Sequence, residues 1–175
     1  MAGLATAVIA TIGADRPGIV TELSELAHRL GLNIEDSRMT VLGGEFAVLM
    51  SVAGTDAELA ALEPELDALC ASSQLAYLLR RTEPRAAAHA LPYQVSVVAM
   101  DHPGIVSRVA GFFARRTINI RELNTETERA AHTGTPIFNL AMTIELPPTV
   151  KVAELRREFD AFCEEQDLDG GIEAG

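Results

Sequence analysis

The chain is poor in positive charge: 14 lysine and arginine residues stand against 25 aspartate and glutamate residues, for a net charge of −11. Both halves share the deficit, with 6 arginines against 12 acidic residues up to residue 88 and 8 cations against 13 acidic residues afterwards. Nucleic-acid binding draws much of its affinity from neutralising phosphates. The composition therefore argues against direct nucleic-acid binding, and the pairs Arg115-Arg116 and Arg156-Arg157 are more simply interpreted as solvated helix faces.

Cysteine and histidine are also scarce, and their spacing indicates no familiar chemistry. Cys70 and Cys163 form no Cys-x-x-Cys pair and are predicted to be free thiols packed in a core, as in a reducing compartment. None of the 4 histidines shares metal-ligand spacing on a helix with another. No nucleophile elbow and no glycine-rich phosphate loop is present. We therefore expect no metal, no cofactor and no enzymatic activity.

Long hydrophobic runs are missing as well, although hydrophobic residues make up 48% of the chain. Stretches such as Val95 to Met100 are far too short to cross a bilayer. No basic leader precedes an apolar segment. The sequence predicts a globular, cytoplasmic protein without membrane association.

What the chain does contain is an internal repeat. The segment Asp15-Arg16-Pro17-Gly18-Ile19-Val20 returns 86 residues later as Asp101-His102-Pro103-Gly104-Ile105-Val106, and Asn33-Ile34 returns at the same offset as Asn119-Ile120. After six inserted residues, the alternating segment from Phe46 to Val52 returns from Phe138 to Ile144. A repeat of this length predicts two copies of one domain. We expect domain 1 at residues 1–82, a linker at 83–91 and domain 2 at 92–175.

Both copies show the same order of predicted elements. In the first, strands are predicted over 4–12, 33–42, 45–53 and 75–81, with helices from near Pro17 to Gly31 and over 56–72. Pro64 lies inside the second helix and predicts a kink or a break there. The second copy predicts strands at 92–100, 119–129, 136–146 and 168–172, and helices at 104–116 and 150–165. The order β-α-β-β-α-β predicts an α+β protein of two ferredoxin-like domains, each an antiparallel four-stranded sheet with both helices on one face.

The repeated Asp-x-Pro-Gly turn is the candidate ligand site. A helix begins there, so several backbone N–H groups lack partners and the helix dipole favours a carboxylate or phosphate. Gly18 permits close approach, Asp15 suits an ammonium group, and Asn33, at the start of the neighbouring strand, can donate and accept hydrogen bonds. Together they predict a site for the carboxylate and amine of an amino acid in each copy. The same residues are also good turn chemistry without any ligand, and the sequence leaves that interpretation open.

These residues resemble a known family. The Asp-x-Pro-Gly turn and the Asn-Ile pair that starts the next strand are similar to those of ACT domains, across both halves of the chain. More narrowly, the segments Ile12 to Val20, Asn33 to Arg38 and Leu42 to Phe46 resemble the glycine cleavage system transcriptional repressor family. Members of that family are tandem ACT proteins without a catalytic domain. The segment Asn-Ile-Glu-Asp-Ser-Arg discriminates best, because other ACT domains vary freely there.

The resemblance implies a ligand site and a partner. ACT domains bind amino acids at an interface between two domains, through the loop before the first helix and the start of the second strand. Repressors of this family act by contacting a LysR-type activator protein, and glycine relieves the repression. The corresponding positions are Gly13, Asp15, Gly18 and Asn33 in the first copy, and Ala99, Asp101, Gly104 and Asn119 in the second.

The second copy departs from the family pattern, because it lacks counterparts of Asp36, Ser37 and Arg38. We therefore expect the two sites to differ in ligand or in occupancy. Asp36 and Arg38 are interpreted either as a solvated edge or as a docking surface for the protein partner. Two further alternatives stay open: an amino-acid-responsive regulatory subunit of a metabolic enzyme, and domain pairing either within the chain or in a homodimer.

Overall fold

The computed structural model describes residues 4–83, 90–130 and 133–175, and the chain divides into two units, Met1–Ala86 and Ala87–Gly175. Most of the predicted linker, 83–91, lies outside the described residues, as do His89, His132 and part of the predicted hairpin turn 130–135. The division between the units falls inside that linker range.

Among the residues described, the first unit contains four strands and two helices. The strands are β1 (Ala5–Ala14), β2 (Asn33–Leu42), β3 (Glu45–Gly54) and β4 (Ala76–Thr82), and the helices are α1 (Ile19–Arg29) and α2 (Asp56–Ser73). The strands form one antiparallel sheet in the order β2-β3-β1-β4. The predicted ferredoxin-like α+β fold is confirmed. Because β1 is a central strand, the turn that follows it leaves the sheet near the middle of one end.

The second unit repeats this order in its described part. Its strands are β5 (Leu91–Met100), β6 (Asn119–Arg129), β7 (Pro136–Leu146) and β8 (Asp169–Ala174), and its helices are α3 (Ile105–Ala114) and α4 (Val152–Glu165). The sheet order is β6-β7-β5-β8. The last strand, predicted over 168–172, pairs with β5 over six residues, from Tyr93 opposite Ala174 to Val98 opposite Asp169.

Along the strands, buried residues alternate with more exposed ones, so each sheet has one face covered by helices and one face that no described helix of its unit covers. On β3, Phe46, Val48 and Met50 are buried, whereas Leu49 between them is 54% exposed. The second unit builds its core on aromatic residues from both helices, with Phe112 and Phe159 in edge-to-face contact at 5.2 Å between ring centroids. Helices on one face only, as predicted, leave the other face of each sheet open.

Both cysteines are free and buried, as predicted. Burial, with a smaller contribution from nearby Asp160, raises the pKa of the Cys163 thiol to about 11. Burial also raises the pKa of Cys70. Both side chains therefore stay protonated at neutral pH and act as small core residues.

The start of α1 differs from the prediction in one respect. Proline was expected at or near the first helical position, but the helix begins at Ile19, with Gly18 as N-cap and Pro17 before it. The reason is that Gly18 adopts φ +97°, a left-handed conformation that cannot be part of the helix. The other end matches the predicted glycine stop: Gly31 N donates to His28 O at 3.0 Å and Leu32 N to Ala27 O at 2.9 Å, the two bonds of a Schellman motif.

A kink or a break was predicted at Pro64, and the break is wrong, because α2 runs as one helix from Asp56 to Ser73. Pro64 is exposed, so the proline ring points to solvent. Leu62 and Leu66 on either side of it are fully buried and hold both halves of the helix against the sheet. At its start, Thr55 and Glu58 form a capping box, with Thr55 N donating to Glu58 Oε2 at 2.7 Å.

Candidate functional site

The turn after β1 opens the start of α1 to solvent. Glu22 N donates to Gly18 O at 2.9 Å, and this is the first hydrogen bond of the helix. The N–H groups of Ile19, Val20 and Thr21 precede it and have no partner within the helix. Among the described residues, no side chain caps this end. These three N–H groups lie at the positive end of the helix dipole, an arrangement that favours a negatively charged group.

A hollow of about 150 Å³ lies over this turn; we call it the α1 hollow. The hollow is open to solvent on one side and has room for a small molecule such as an amino acid. The residues that line the hollow are Asp15, Arg16, Gly18, Ile19, Val20, Thr21, Met39 and Phe46.

An ion pair neutralises the rim of the α1 hollow. Arg16 Nη1 and Nη2 donate to the two carboxylate oxygens of Glu22 at 2.6 and 2.7 Å, and Ser73 Oγ donates to Glu22 Oε2 at 2.9 Å. The bonds from Arg16, and next that from Ser73, lower the pKa of Glu22 to about 2. Glu22 is therefore ionised at neutral pH and fully matched by Arg16. Asp15 lies exposed beside this pair, with its backbone N–H bound to Gly44 O at 3.1 Å.

The second unit reproduces the backbone of this turn but not its charges. Gly104 has φ +98°, and Arg108 N donates to Gly104 O at 3.0 Å. At the positions of Arg16 and Glu22 stand His102 and Arg108, and Arg108 Nη2 lies 3.0 Å from His102 Nδ1. A carboxylate in the first turn is thus replaced by a guanidinium in the second. This difference in charge within the turn is a physical reason to expect that the two sites differ in ligand or in occupancy.

Gly13 and Ala99 lie behind the turns rather than in them. Gly13 pairs with Phe46 and Ala99 with Phe138, on the face that the helices cover. A Cβ on Gly13 would lie 2.6 Å from Leu75 Cδ2 and 3.1 Å from Gln74 O. The absent side chain of Gly13 therefore makes room for the end of α2, which is a packing role.

Asn33 and Asn119 are not brought to the turns of their own units. Asn33 lies opposite Ala53, which lies opposite Thr6 at the start of β1, whereas Asp15 follows the other end of β1. Nine residue steps along the strand separate the two positions, or about 30 Å at 3.3 Å per residue. The expectation that Asn33 lies on the strand beside the turn is wrong, because β3 stands between β2 and β1. Asn119 is placed in the same way, and its Nδ2 donates to Glu145 Oε2 at 2.8 Å.

Asp36 and Arg38 lie on edge strand β2, after a register irregularity between Ile34 and Asp36. The two side chains are exposed and form an ion pair with each other. Arg38 Nη1 also donates to Ser37 O at 2.9 Å. The register places Arg38 opposite Leu49, on the open face of the sheet. The charged pair therefore lies beside the exposed side chain of Leu49. A role of Asp36 and Arg38 in docking a partner stays a prediction.

Two apolar residues that line the α1 hollow, Met39 and Phe46, were not among the site residues predicted from the sequence. Met39 and Phe46 come from β2 and β3, and their approach to the turn depends on strand register. The internal repeat could have pointed to Phe46, because Phe46 and Phe138 occupy equivalent positions in the two copies. Within the part of the chain that the structure describes, no group of three or more His, Cys, Asp or Glu side chains is placed to hold a metal ion. No described helix is both long and apolar enough to span a bilayer.

Comparison with known proteins matches both units to ACT-domain models. Residues 5–77 match an ACT domain, and residues 95–145 match an AHAS small subunit-like ACT domain. The chain is 32% identical over 167 residues to the glycine cleavage system transcriptional repressor of Escherichia coli K12, an alignment that covers 94% of this chain and 87% of the relative. The relative from Shigella flexneri gives the same identity and coverage.

Solved structures agree with this assignment along the whole chain. A crystal structure assigned provisionally as a glycine cleavage system transcriptional repressor has a TM-score of 0.76 and 30% identity, covering 97% of this chain and 96% of the other. An uncharacterised protein from Galdieria sulphuraria has a TM-score of 0.84 and 27% identity, with 99% of both chains covered. The chain is a tandem ACT-domain protein and belongs to the glycine cleavage system transcriptional repressor family.

Proposed function

We propose that this protein is a regulator without enzymatic activity that binds glycine in the α1 hollow and controls a LysR-type transcriptional activator by protein contact. The observation that carries the proposal is the α1 hollow itself, which combines open N–H groups, a carboxylate and room for a small molecule. Membership of the repressor family supports the regulatory role.

Glycine matches the chemistry of the α1 hollow at both of its ends. Its carboxylate would accept hydrogen bonds from the N–H groups of Ile19, Val20 and Thr21, where the helix dipole favours negative charge. Its ammonium group would pair with the carboxylate of Asp15. Because Arg16 and Glu22 neutralise each other, the rim adds no net charge, which suits a zwitterion better than a simple anion.

Asn33 cannot join Asp15 on one ligand within a unit, because about 30 Å of strand separates them. If Asn33 contacts glycine as the family resemblance implies, that glycine is bound by an ACT unit other than its own. For the alternative in which the chain forms a homodimer, we propose that glycine binding and dimer formation are coupled. Sedimentation equilibrium with and without glycine tests this, and an Asn33→Ala variant should lose the coupling.

Control by protein contact agrees with the charge of the chain. With a net charge of −11, the protein is poorly suited to binding DNA directly. A tenfold change in affinity for an activator requires a coupling free energy of about 1.4 kcal/mol. A few hydrogen bonds that form only with glycine bound are sufficient for that.

Isothermal titration of the full chain with glycine tests the site. We expect saturable binding in the wild type, with Asp15→Asn weakening it at least tenfold. The matched control is Asp101→Asn, which makes the same change in the second turn, beside Arg108 instead of Glu22. Gly13→Ala is unsuitable as a test, since its Cβ would disturb Leu75. Undiminished glycine binding by Asp15→Asn would remove the site from the α1 hollow.

A second experiment addresses the partner. A LysR-type activator immobilised on beads should retain the protein without glycine and release it when glycine is added. Charge reversal of both Asp36 and Arg38 should weaken retention if these residues dock the activator. Retention that is unaffected by the double variant would remove the docking role from β2.

A second candidate function is favoured by the match of residues 95–145 to an AHAS small subunit-like ACT domain. In that case the chain would be an amino-acid-responsive regulatory subunit of a metabolic enzyme. Affinity purification from the native cell separates the two, because a regulatory subunit would be recovered with a catalytic subunit and not with an activator.

A further inference from the structure

The α1 hollow has one polar side and one apolar side. The polar side consists of the N–H groups of the first helical turn, together with Asp15 and Thr21. The apolar side has a buried floor, Ile19 and Phe46, and a rim in which Val20 on α1 and Met39 on β2 are exposed. A ligand that presents its carboxylate and amine to the polar side must direct any side chain toward this rim.

The rim residue Met39 is held over the hollow by strand register. Met39 lies opposite Val48 on β3, on the face that the helices cover, two residues along β3 from Phe46 on the floor. At 54% exposure its thioether end still borders solvent. Methionine is flexible and apolar, so it can close over a small ligand and still admit it.

The internal repeat identifies Met39 as an unusual member of the lining. Asp15, Gly18, Ile19, Val20 and Phe46 have identical counterparts in the second unit, and Thr21 is replaced by the similar Ser107. Only two lining positions change in character: Arg16 becomes His102, and Met39 becomes Thr125. Thr125 lies opposite Leu140 just as Met39 lies opposite Val48, so the two positions are equivalent in the sheet.

We infer that Met39 is the residue that limits the size of the amino acid accepted by the α1 hollow, selecting glycine against amino acids with a side chain. This inference rests on the proposed amino-acid site. The long side chain of Met39 lines the side of the hollow toward which a ligand side chain would extend. A shorter residue opens that space without removing any group that holds the carboxylate or amine.

Titration of three variants with glycine, alanine and serine tests the inference. Met39→Ala should improve alanine affinity by about tenfold or more, since a single methylene in a pocket changes discrimination by about 10–200-fold. The quantity to compare is the ratio of alanine affinity to glycine affinity within each variant, and this ratio should rise by about tenfold in Met39→Ala. Met39→Thr, which copies the second unit, should favour serine over alanine because the new hydroxyl can bond to the ligand. The matched control is Leu49→Ala, which removes a side chain of equal exposure, 54%, from the opposite face of the same sheet.

The outcomes separate the inference from the function on which it rests. If the wild type binds glycine selectively and Met39→Ala gains alanine while Leu49→Ala does not, the inference stands. If the wild type binds glycine and Met39→Ala keeps the same preference, the inference is overturned and the proposed site remains. If the wild type binds none of the three amino acids, the proposed function fails and the inference fails with it.

Discussion

Thr11 should destabilise the first unit, and its replacement by valine should make that unit more stable. The side chain of Thr11 is 2% exposed, on the face of β1 that the helices cover, opposite Val48 and Tyr77. Its Oγ1 has no hydrogen-bond partner among the residues the structure describes. The repeat supplies the natural comparison, because the equivalent residue of β5 is Val97, which is 0% exposed.

The magnitude follows from the cost of burying a hydroxyl without a partner, roughly 1–3 kcal/mol. Valine has almost the same shape and suits a strand equally well, so the change introduces neither a cavity nor strain. We expect Thr11→Val to raise the free energy of unfolding of the first unit by about 1–2 kcal/mol. In a domain of this size, each kcal/mol corresponds to about 4–8 °C in Tm.

Urea denaturation followed by circular dichroism measures this change, with hydrogen exchange of the β1 peptide assigning it to the first unit. The slope of the transition should stay the same while its midpoint rises. The control is Thr143→Val: Thr143 is also buried, but its Oγ1 donates to Gln94 Oε1 at 3.2 Å, so this variant should lose about 0.5–1.5 kcal/mol. If Thr11→Val is neutral or destabilising, the hydroxyl has a partner and the reasoning is wrong.

Thr117→Gly should stabilise the second unit by about 0.5–1 kcal/mol, because Thr117 has φ +56° at the position where the first unit has Gly31. The relief of backbone strain should outweigh the conformational entropy that glycine gains in the unfolded chain. An unchanged or lower urea midpoint would contradict this expectation. Glu22→Gln should flatten the acid dependence of stability. The folded pKa of Glu22, about 2, lies below the value of about 4.3 expected in the unfolded chain, so its contribution is present above about pH 4.5 and is lost as the pH falls toward 2. Urea midpoints measured from pH 6 to pH 2 should converge for wild type and variant at the acid end, and parallel curves would count against the Arg16–Glu22 pair.

Much of the fold could be predicted because local signals agree with each other. The bounds of β2, β6 and β7 match the predicted ranges, since glycine, proline and asparagine mark their ends and the apolar residues of β3 and β7 alternate. Pro64 does not break α2, because the burial of Leu62 and Leu66 stabilises the helix by more than the lost helical hydrogen bond costs. The sequence alone does not reveal that burial.

Only the part of the candidate site that is formed by consecutive residues could be predicted from the sequence. The turn from Asp15 to Gly18 is a short segment whose chemistry depends on its own residues. The position of Asn33 depends on strand order, and strands that are adjacent in the chain need not be adjacent in the sheet. The apolar side of the α1 hollow depends on register as well, because Met39 faces the helices only through its pairing with Val48.

Amide chemical shifts in the two turns show whether glycine binds at the first turn of α1. In a titration of the ¹⁵N-labelled chain with glycine, we expect saturable shifts of the Ile19, Val20 and Thr21 amides. The amides of Ile105, Val106 and Ser107 provide an internal comparison with the same backbone and different charges, and they should shift less. Shifts confined to the second turn, or no saturable shift in either turn, would show that glycine does not bind at the first turn of α1.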